Sequence, residues 1–376
     1  MHDGMIRALE QAGYRCLRSS RCGDTFDYSA LPAGHAVVYE NLSMAMVNPP
    51  PGSLAPRGTV GGALIVTASG ARLRPLDEAP RAAMRADFQR ASNFTWGLIA
   101  TRVHESRFTG RGTRACVLDG GLDRDHPDFA GRDIVFRCFT GEGDTHDTQG
   151  HGTHCAGTVC GPRVPSSGAR YGIAFDAELL VGKVIDQQGI ATDAATLAGI
   201  DWAVGQGCHV VSMSLGHRVW PGATYSPVFE WAAARALEQG VLLIAPAGND
   251  SARGASMLRP VQEPANCPSI MAVASLDQSM HIANSSNAGL EAEGGEIDLA
   301  APGVGVHSAC STRVSPYSNL SGTSMAAPFV AGVALLHAEA QGARGRDLRA
   351  VLIESARPMD FPVQDAGAGL VQAPLS

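Results

Sequence analysis

The sequence predicts an α/β fold, a three-layer α/β/α domain with a mainly parallel central sheet, preceded by a small α+β N-terminal segment. Two observations predict the main domain. From about Ala91, short apolar runs alternate with Ala-rich helical patterns, as expected of buried parallel strands joined by helices. Polar or glycine-bearing residues also follow several runs closely, where such sheets bind ligands beyond their strand ends. A third observation, a change of composition near residue 90, predicts the preceding segment.

Strands are expected at 115–118, 179–185, 209–215, 241–245, 270–275 and 297–300. Helices are expected at His151–Cys160, Asp193–Gly205, 227–239 and 324–340. Residues 1–90 combine a short amphipathic helix at 5–12, strands at His35–Tyr39 and 64–67, and a Pro/Gly-rich stretch at 49–62. Residues 74–90 are charged and read as a linker with helical tendency. The domain organisation expected is therefore 1–90 as a small α+β accessory unit with its linker, and 91–376 as the main α/β domain.

With 376 residues, 45% hydrophobic and 17% charged, the chain has the composition of an ordinary globular protein. A net charge of −7 without a long Lys/Arg run gives no electrostatic footprint for nucleic acid. No run of 18 apolar residues exists, so no membrane span is expected. The N-terminus, MHDGMIRALEQAGYRC, carries no apolar core behind a basic region and predicts no secretory signal. Nine cysteines, an odd number without CxxC, predict neither a disulfide framework nor a zinc site and fit a reducing compartment. The expectation is a cytoplasmic protein, or one exported without a recognisable signal peptide.

The chemistry sits in three local settings. A serine hydroxyl is a poor nucleophile until a base takes its proton, and that base needs an orienting acid. Ser324 lies in Gly322-Thr323-Ser324-Met325-Ala326-Ala327-Pro328 before an apolar helical run, which sets its backbone N–H at a helix N-terminus. His151 also stands at a helix start, flanked by Gly150 and Gly152. Asp119 follows the run Ala115-Cys116-Val117-Leu118 and precedes two glycines.

The stretches ACVLDGGLDRDHPDF, DTQGHGTHCAGTV and SGTSMAAPFVAG resemble the three signature segments of the subtilisin-like serine proteases, the subtilase family of peptidase S8 type. Their order, Asp then His then Ser, is also that family's. The resemblance runs from about Trp96 to Gln372. It implies a serine endopeptidase acting on protein or peptide substrates, with Asp119, His151 and Ser324 as catalytic triad and no cofactor required for the chemistry. It implies Asn249 as side-chain donor of the oxyanion hole, within Pro246-Ala247-Gly248-Asn249. Ser214, Leu215 and Gly216, with Ala247 and Gly248, match the substrate-binding segments. Residues 1–90 are similar in position and size to the family's inhibitory prodomains, which implies a self-processed zymogen cut near residues 88–92 and a segment that acts as intramolecular inhibitor.

Departures from the family pattern are also legible. Asp119-Gly120-Gly121 lacks the usual hydroxyl after the aspartate, and Pro246 replaces a small residue. Asp128 matches a calcium ligand of the family, yet the loop Gly161-Pro162-Arg163-Val164-Pro165-Ser166-Ser167 brings no carboxylate to it. Asp125, His126, Asp144 and His146 fit no usual metal-ligand spacing and read as solvated loop, so no metal site is assigned. His154 reads as a packing residue. Cys155 reads as buried near His151, which suggests inhibition by mercurials. Asp250 reads as a solvated carboxylate, or alternatively as an acidic wall of the S1 mouth favouring basic P1 residues. Two rival functions remain open at this level: acyl transfer to an amine, as in a peptide ligase or macrocyclase, and a non-catalytic binding module of the same fold.

Overall fold

Residues 2–51, 53, 58–60, 63–67, 72–75, 93–290 and 293–376 are described by a computed structural model. In chain order the N-terminal part forms α1 (His2–Gln11), β1 (Arg15–Arg18), β2 (His35–Tyr39), β3 (Met44–Asn48), β4 (Gly58–Val60), β5 (Ala63–Thr67) and β6 (Arg72–Pro75). The remainder forms α2 (Trp96–Ala100), β7 (Arg114–Asp119), β8 (Ile134–Cys138), α3 (His151–Cys160), β9 (Glu178–Lys183), β10 (Ala191–Thr192), α4 (Asp193–Gly205), β11 (Val210–Met213) and β12 (Leu215–Gly216). After these come α5 (Pro227–Glu238), β13 (Leu242–Pro246), β14 (Met271–Leu276), β15 (Leu299–Pro302), β16 (Val306–Ala309), β17 (Tyr317–Leu320), α6 (Thr323–Gln341), α7 (Gly345–Glu354) and α8 (Val363–Ala366).

The central sheet has seven strands in the order β15-β14-β13-β11-β7-β9-β8, and every neighbouring pair is parallel. Its inner strands are largely apolar because both faces are covered, whereas the edge strand β8 is only half-buried. Alternate residues feed two cores. Cys116, Leu118, Leu243, Ala245, Ala272 and Ala274 face one core, which also holds Leu197 and Ile200 of α4 and Phe229 of α5. Ala115, Val117, Leu242, Ile244, Met271 and Val273 face the other, with Cys155 and Val159 of α3 and Val330 and Val333 of α6. The predicted three layers are present. After β9 the chain crosses β7 to continue on its far side, so β7 stands at the switch point where open α/β sheets bind ligands.

The described residues up to Thr67 build a second sheet, β1-β2-β3-β5-β4. Met5 and Leu9 of α1 cover one face, against Ala36, Val38, Ala45 and Val47. The opposite face, Val37, Tyr39, Met44 and Met46, joins the core beneath α4 and α5. Polar contacts fix this joint. The Asp201 carboxylate accepts from Asn41 N at 2.7 Å, Leu42 N at 3.2 Å and the Ser19 hydroxyl. Tyr39 Oη donates to Ala194 O at 3.2 Å and Trp231 Nε1 to Leu42 O at 3.1 Å.

The part of the expected linker that is described differs from the expectation. Arg74 and Pro75 end a strand, β6, that lies antiparallel between β10 and β12, with Leu73 opposite Ala191, Arg74 opposite Gly216 and Pro75 opposite Leu215. Arg-Leu-Arg-Pro has no strand signature of its own, and it is extended because two distant edges pair with it. The rest of the expected linker, and the expected cut near 88–92, lie outside the described residues.

Candidate active site

Asp119 ends β7, and its carbonyl accepts from Val184 N at 2.9 Å and Ile185 N at 3.1 Å, which ties the strand end to its neighbour. Its carboxylate is fully buried and accepts from Gly120 N at 2.7 Å. A side chain on Gly121, at φ +106°, would put Cβ 2.2 Å from Thr145 O, so this turn takes only glycine. His151 opens α3 and donates from Nδ1 to both Asp119 oxygens, at 2.9 and 3.0 Å. That bond fixes the tautomer and leaves Nε2 as the basic nitrogen. Burial opposes the imidazolium, but the Asp119 carboxylate outweighs it, aided by Cys155, and the His151 pKa rises well above its ordinary value.

The start of α3 is held by a residue the sequence reading missed. Asp147 Oδ1 accepts from Gln149 N and Gly150 N, at 3.0 and 2.9 Å, while Oδ2 accepts from Thr153 N and Oγ1, at 2.8 and 2.7 Å. This satisfies donors that the first turn leaves without an intrahelical partner and sets the entry of His151. An aspartate just ahead of a helical run was the available signal.

Ser324 is the second residue of α6 and is buried. Its Oγ donates to Ser214 O at 3.4 Å, and Ser214 Oγ donates to Ser324 O at 2.8 Å. Cys155 Sγ joins the two halves of the site, 3.7 Å from Ser324 O and 4.0 Å from His151 Nδ1. His151 Nε2 makes no hydrogen bond among the described residues. Asn249 follows β13, and its Oδ1 accepts from Thr323 N at 2.9 Å and Thr323 Oγ1 at 3.0 Å. With the carbonyl end of the amide so committed, Nδ2 is the donating end. Gly248, at φ +111°, donates from its N to Thr323 Oγ1 at 3.1 Å. Ala247 is buried and donates to Val273 O at 3.0 Å.

Around these residues several expectations resolve. Asp250 is neither solvated nor a free acidic wall: only 15% exposed, it pairs with the Arg218 guanidinium and the Gln262 amide. His154 packs as expected, bonded to Val306 O at 2.9 Å, and burial pushes its pKa down to about 3. Asp125 and His146 approach Asp123, while His126 bonds Pro316 O at 2.6 Å and Asp144 caps a turn at His146 N. All nine cysteines are free thiols, and none of the described helices is long and apolar enough to cross a membrane.

Comparison with known proteins agrees with the fold and motifs. The subtilase family model (peptidase S8) matches residues 110–371. A thermostable alkaline protease of Halalkalibacterium halodurans is 37% identical over 247 residues, 64% of this chain and 62% of that protein. Subtilisin Savinase of Lederbergia lenta is 36% identical over 252 residues, 65% of this chain and 84% of that protein. The chain thus spans about three fifths of the length of the first of these relatives. The crystal structure of a cold adapted subtilisin-like serine proteinase superposes with TM-score 0.59 at 29% identity, over 76% of this chain and 98% of that one. On the family match and the parallel sheet that carries its motifs, this chain belongs to the subtilase family.

Proposed function

We propose that this protein is a serine endopeptidase that hydrolyses peptide bonds through an acyl-enzyme and processes its own N-terminal segment. The observation that carries the reading is the buried Asp119–His151 pair at the switch point of the sheet, beside a serine at the N-terminus of α6. Ser324 Oγ rotates from Ser214 O toward His151 Nε2, gives up its proton there and attacks the substrate carbonyl. Asp119 holds the imidazole and stabilises the imidazolium. The Ser324 N–H, at a helix start, and the Asn249 Nδ2 amide receive the oxyanion. His151 then protonates the leaving amine, and water releases the acyl group.

The substrate enters as an added strand between β10 and β12, a mode in which main-chain bonds give affinity and pockets read alternate side chains. Strand β6 models that mode, with Leu73 fully buried. In this reading the N-terminal segment is both first substrate and inhibitor. The proposed cut is the one near residues 88–92, downstream of β6. Purified protein and its Ser324→Ala variant, compared by intact mass and by digestion of a proteome-derived peptide library, test the reading. The wild type is expected to lose its N-terminal segment by a cut near residues 88–92 and to yield hydrolysed peptides, while the variant stays full length and inert. Full-length masses for both remove self-processing; products joined to an amine would favour the ligase reading over hydrolysis.

A further inference from the structure

The family resemblance assigns Asp128 to a calcium site, but the residues around it do not fit an ion. Calcium takes six to eight oxygen ligands, with carboxylates leading. Here both Asp128 oxygens are already accepting. Oδ2 takes the Tyr171 hydroxyl at 2.6 Å and the Tyr317 hydroxyl at 3.0 Å, and Oδ1 takes Ser166 N at 2.8 Å. Asp128 belongs to neither cluster of metal-ligating side chains found among the described residues.

The carbonyls of the neighbouring loop are served in the same way by fixed cations. The Arg132 guanidinium donates to Cys160 O, to Ala177 O at 2.9 Å and to Phe175 O at 3.4 Å. Arg170 donates to Gly172 O at 2.9 Å and Ile173 O at 2.8 Å. Arg163, in the loop itself, adds a further positive charge close enough to depress the Arg170 pKa beyond the effect of burial. A divalent ion would have to displace hydroxyl donors from the carboxylate and settle among guanidinium groups.

We propose that the stretch from Cys160 to Ala177 is held in this protein by Tyr171, Tyr317, Arg132 and Arg170 in place of the family's calcium, so that Asp128 anchors hydroxyls and binds no cation. Two chain segments distant in sequence, around Tyr171 and around Tyr317, then meet on one carboxylate. The aromatic rings support the same joint, with Tyr171 and Tyr317 centroids 6.3 Å apart and His307 stacked on Tyr317 at 5.8 Å. The device gives a fold whose stability at this loop ignores chelators.

Thermal unfolding of full-length Ser324→Ala protein, which cannot digest itself, tests this in EDTA and in millimolar calcium. The midpoint is expected to be the same in both. Adding Tyr171→Phe and Tyr317→Phe lowers it by roughly 3–8 °C, equally in both buffers, as two bonds to a charged acceptor are lost. A chelator-induced drop that calcium reverses, and that disappears in Asp128→Asn, overturns the proposal. A drop that persists unchanged in Asp128→Asn puts the responding ion elsewhere and leaves Asp128 as assigned. Should the double variant not fold, calorimetric titration of calcium into the folded Ser324→Ala protein decides: heat abolished by Asp128→Asn overturns the proposal, and its absence supports it.

Discussion

His151 sits between a carboxylate that stabilises its charge and a serine that needs its neutral form, and its titration therefore sets the working range. Its pKa is raised, so the Asp119–His151 pair stabilises the fold fully below the ordinary histidine value and less as pH climbs through the raised one. Catalysis runs the opposite way, since only the neutral imidazole accepts the serine proton. Activity (kcat/KM) is expected to rise with pH along a limb centred above about 6.5, the ordinary value. Asp119→Asn should move that limb to lower pH and cut kcat by on the order of 10⁴, because the imidazole loses its charge partner and its tautomer; an unshifted limb would count against the assignment. Asp250 leads to a separate expectation. Its charge is matched by Arg218, so the peptide library should show no preference for Arg or Lys at P1, whereas Arg218→Ala should raise kcat/KM for basic P1 residues severalfold. A basic preference already present in the wild type would mean the pair does not hold. At this scale the sequence was most legible: Asp119, His151, Ser324 and Asn249 lie in motifs long enough to identify. Asp147 and the Arg218–Asp250 pair were not, because their partners are set by turns and loops without a pattern of their own.

At the scale of elements, legibility followed how far each element depends on its own residues. Helices α3 and α4 have the bounds the sequence predicts, since each begins at a polar or glycine start and then buries nearly every side chain. Arg74 and Pro75 carry only a linker signature, because the extension of β6 comes from pairing with residues more than a hundred positions away. Helix α4 has a second role that no local pattern reveals: Asp201 on it receives the N-terminal segment through Asn41 N, Leu42 N and Ser19. Asp201→Ala leaves the half-buried Asn41 N and the buried Leu42 N without their acceptor, at about 1–3 kcal/mol for the buried donor. The expected result is a segment released at least tenfold faster after processing, measured as a shortened lag before activity appears. An unchanged lag would show that the joint rests on apolar packing alone.

For the whole molecule, one arrangement explains the parts. A parallel sheet buried on both faces fixes the ends of β7 and β13, helices α3 and α6 present His151 and Ser324 beside them, and the N-terminal sheet packs on α4 and α5 so that β6 reaches the cleft. The main fold was legible because alternating apolar runs and helices allow few architectures. The docking of the N-terminal segment was not, since it depends on matched surfaces rather than on periodicity. The central claim, that Ser324 is a nucleophile activated by His151, is tested most directly by a fluorophosphonate probe on mature protein, with the adduct located by tandem mass spectrometry. Stoichiometric labelling at Ser324, abolished in His151→Ala, is the predicted result. No adduct at Ser324, or equal labelling without His151, would contradict it.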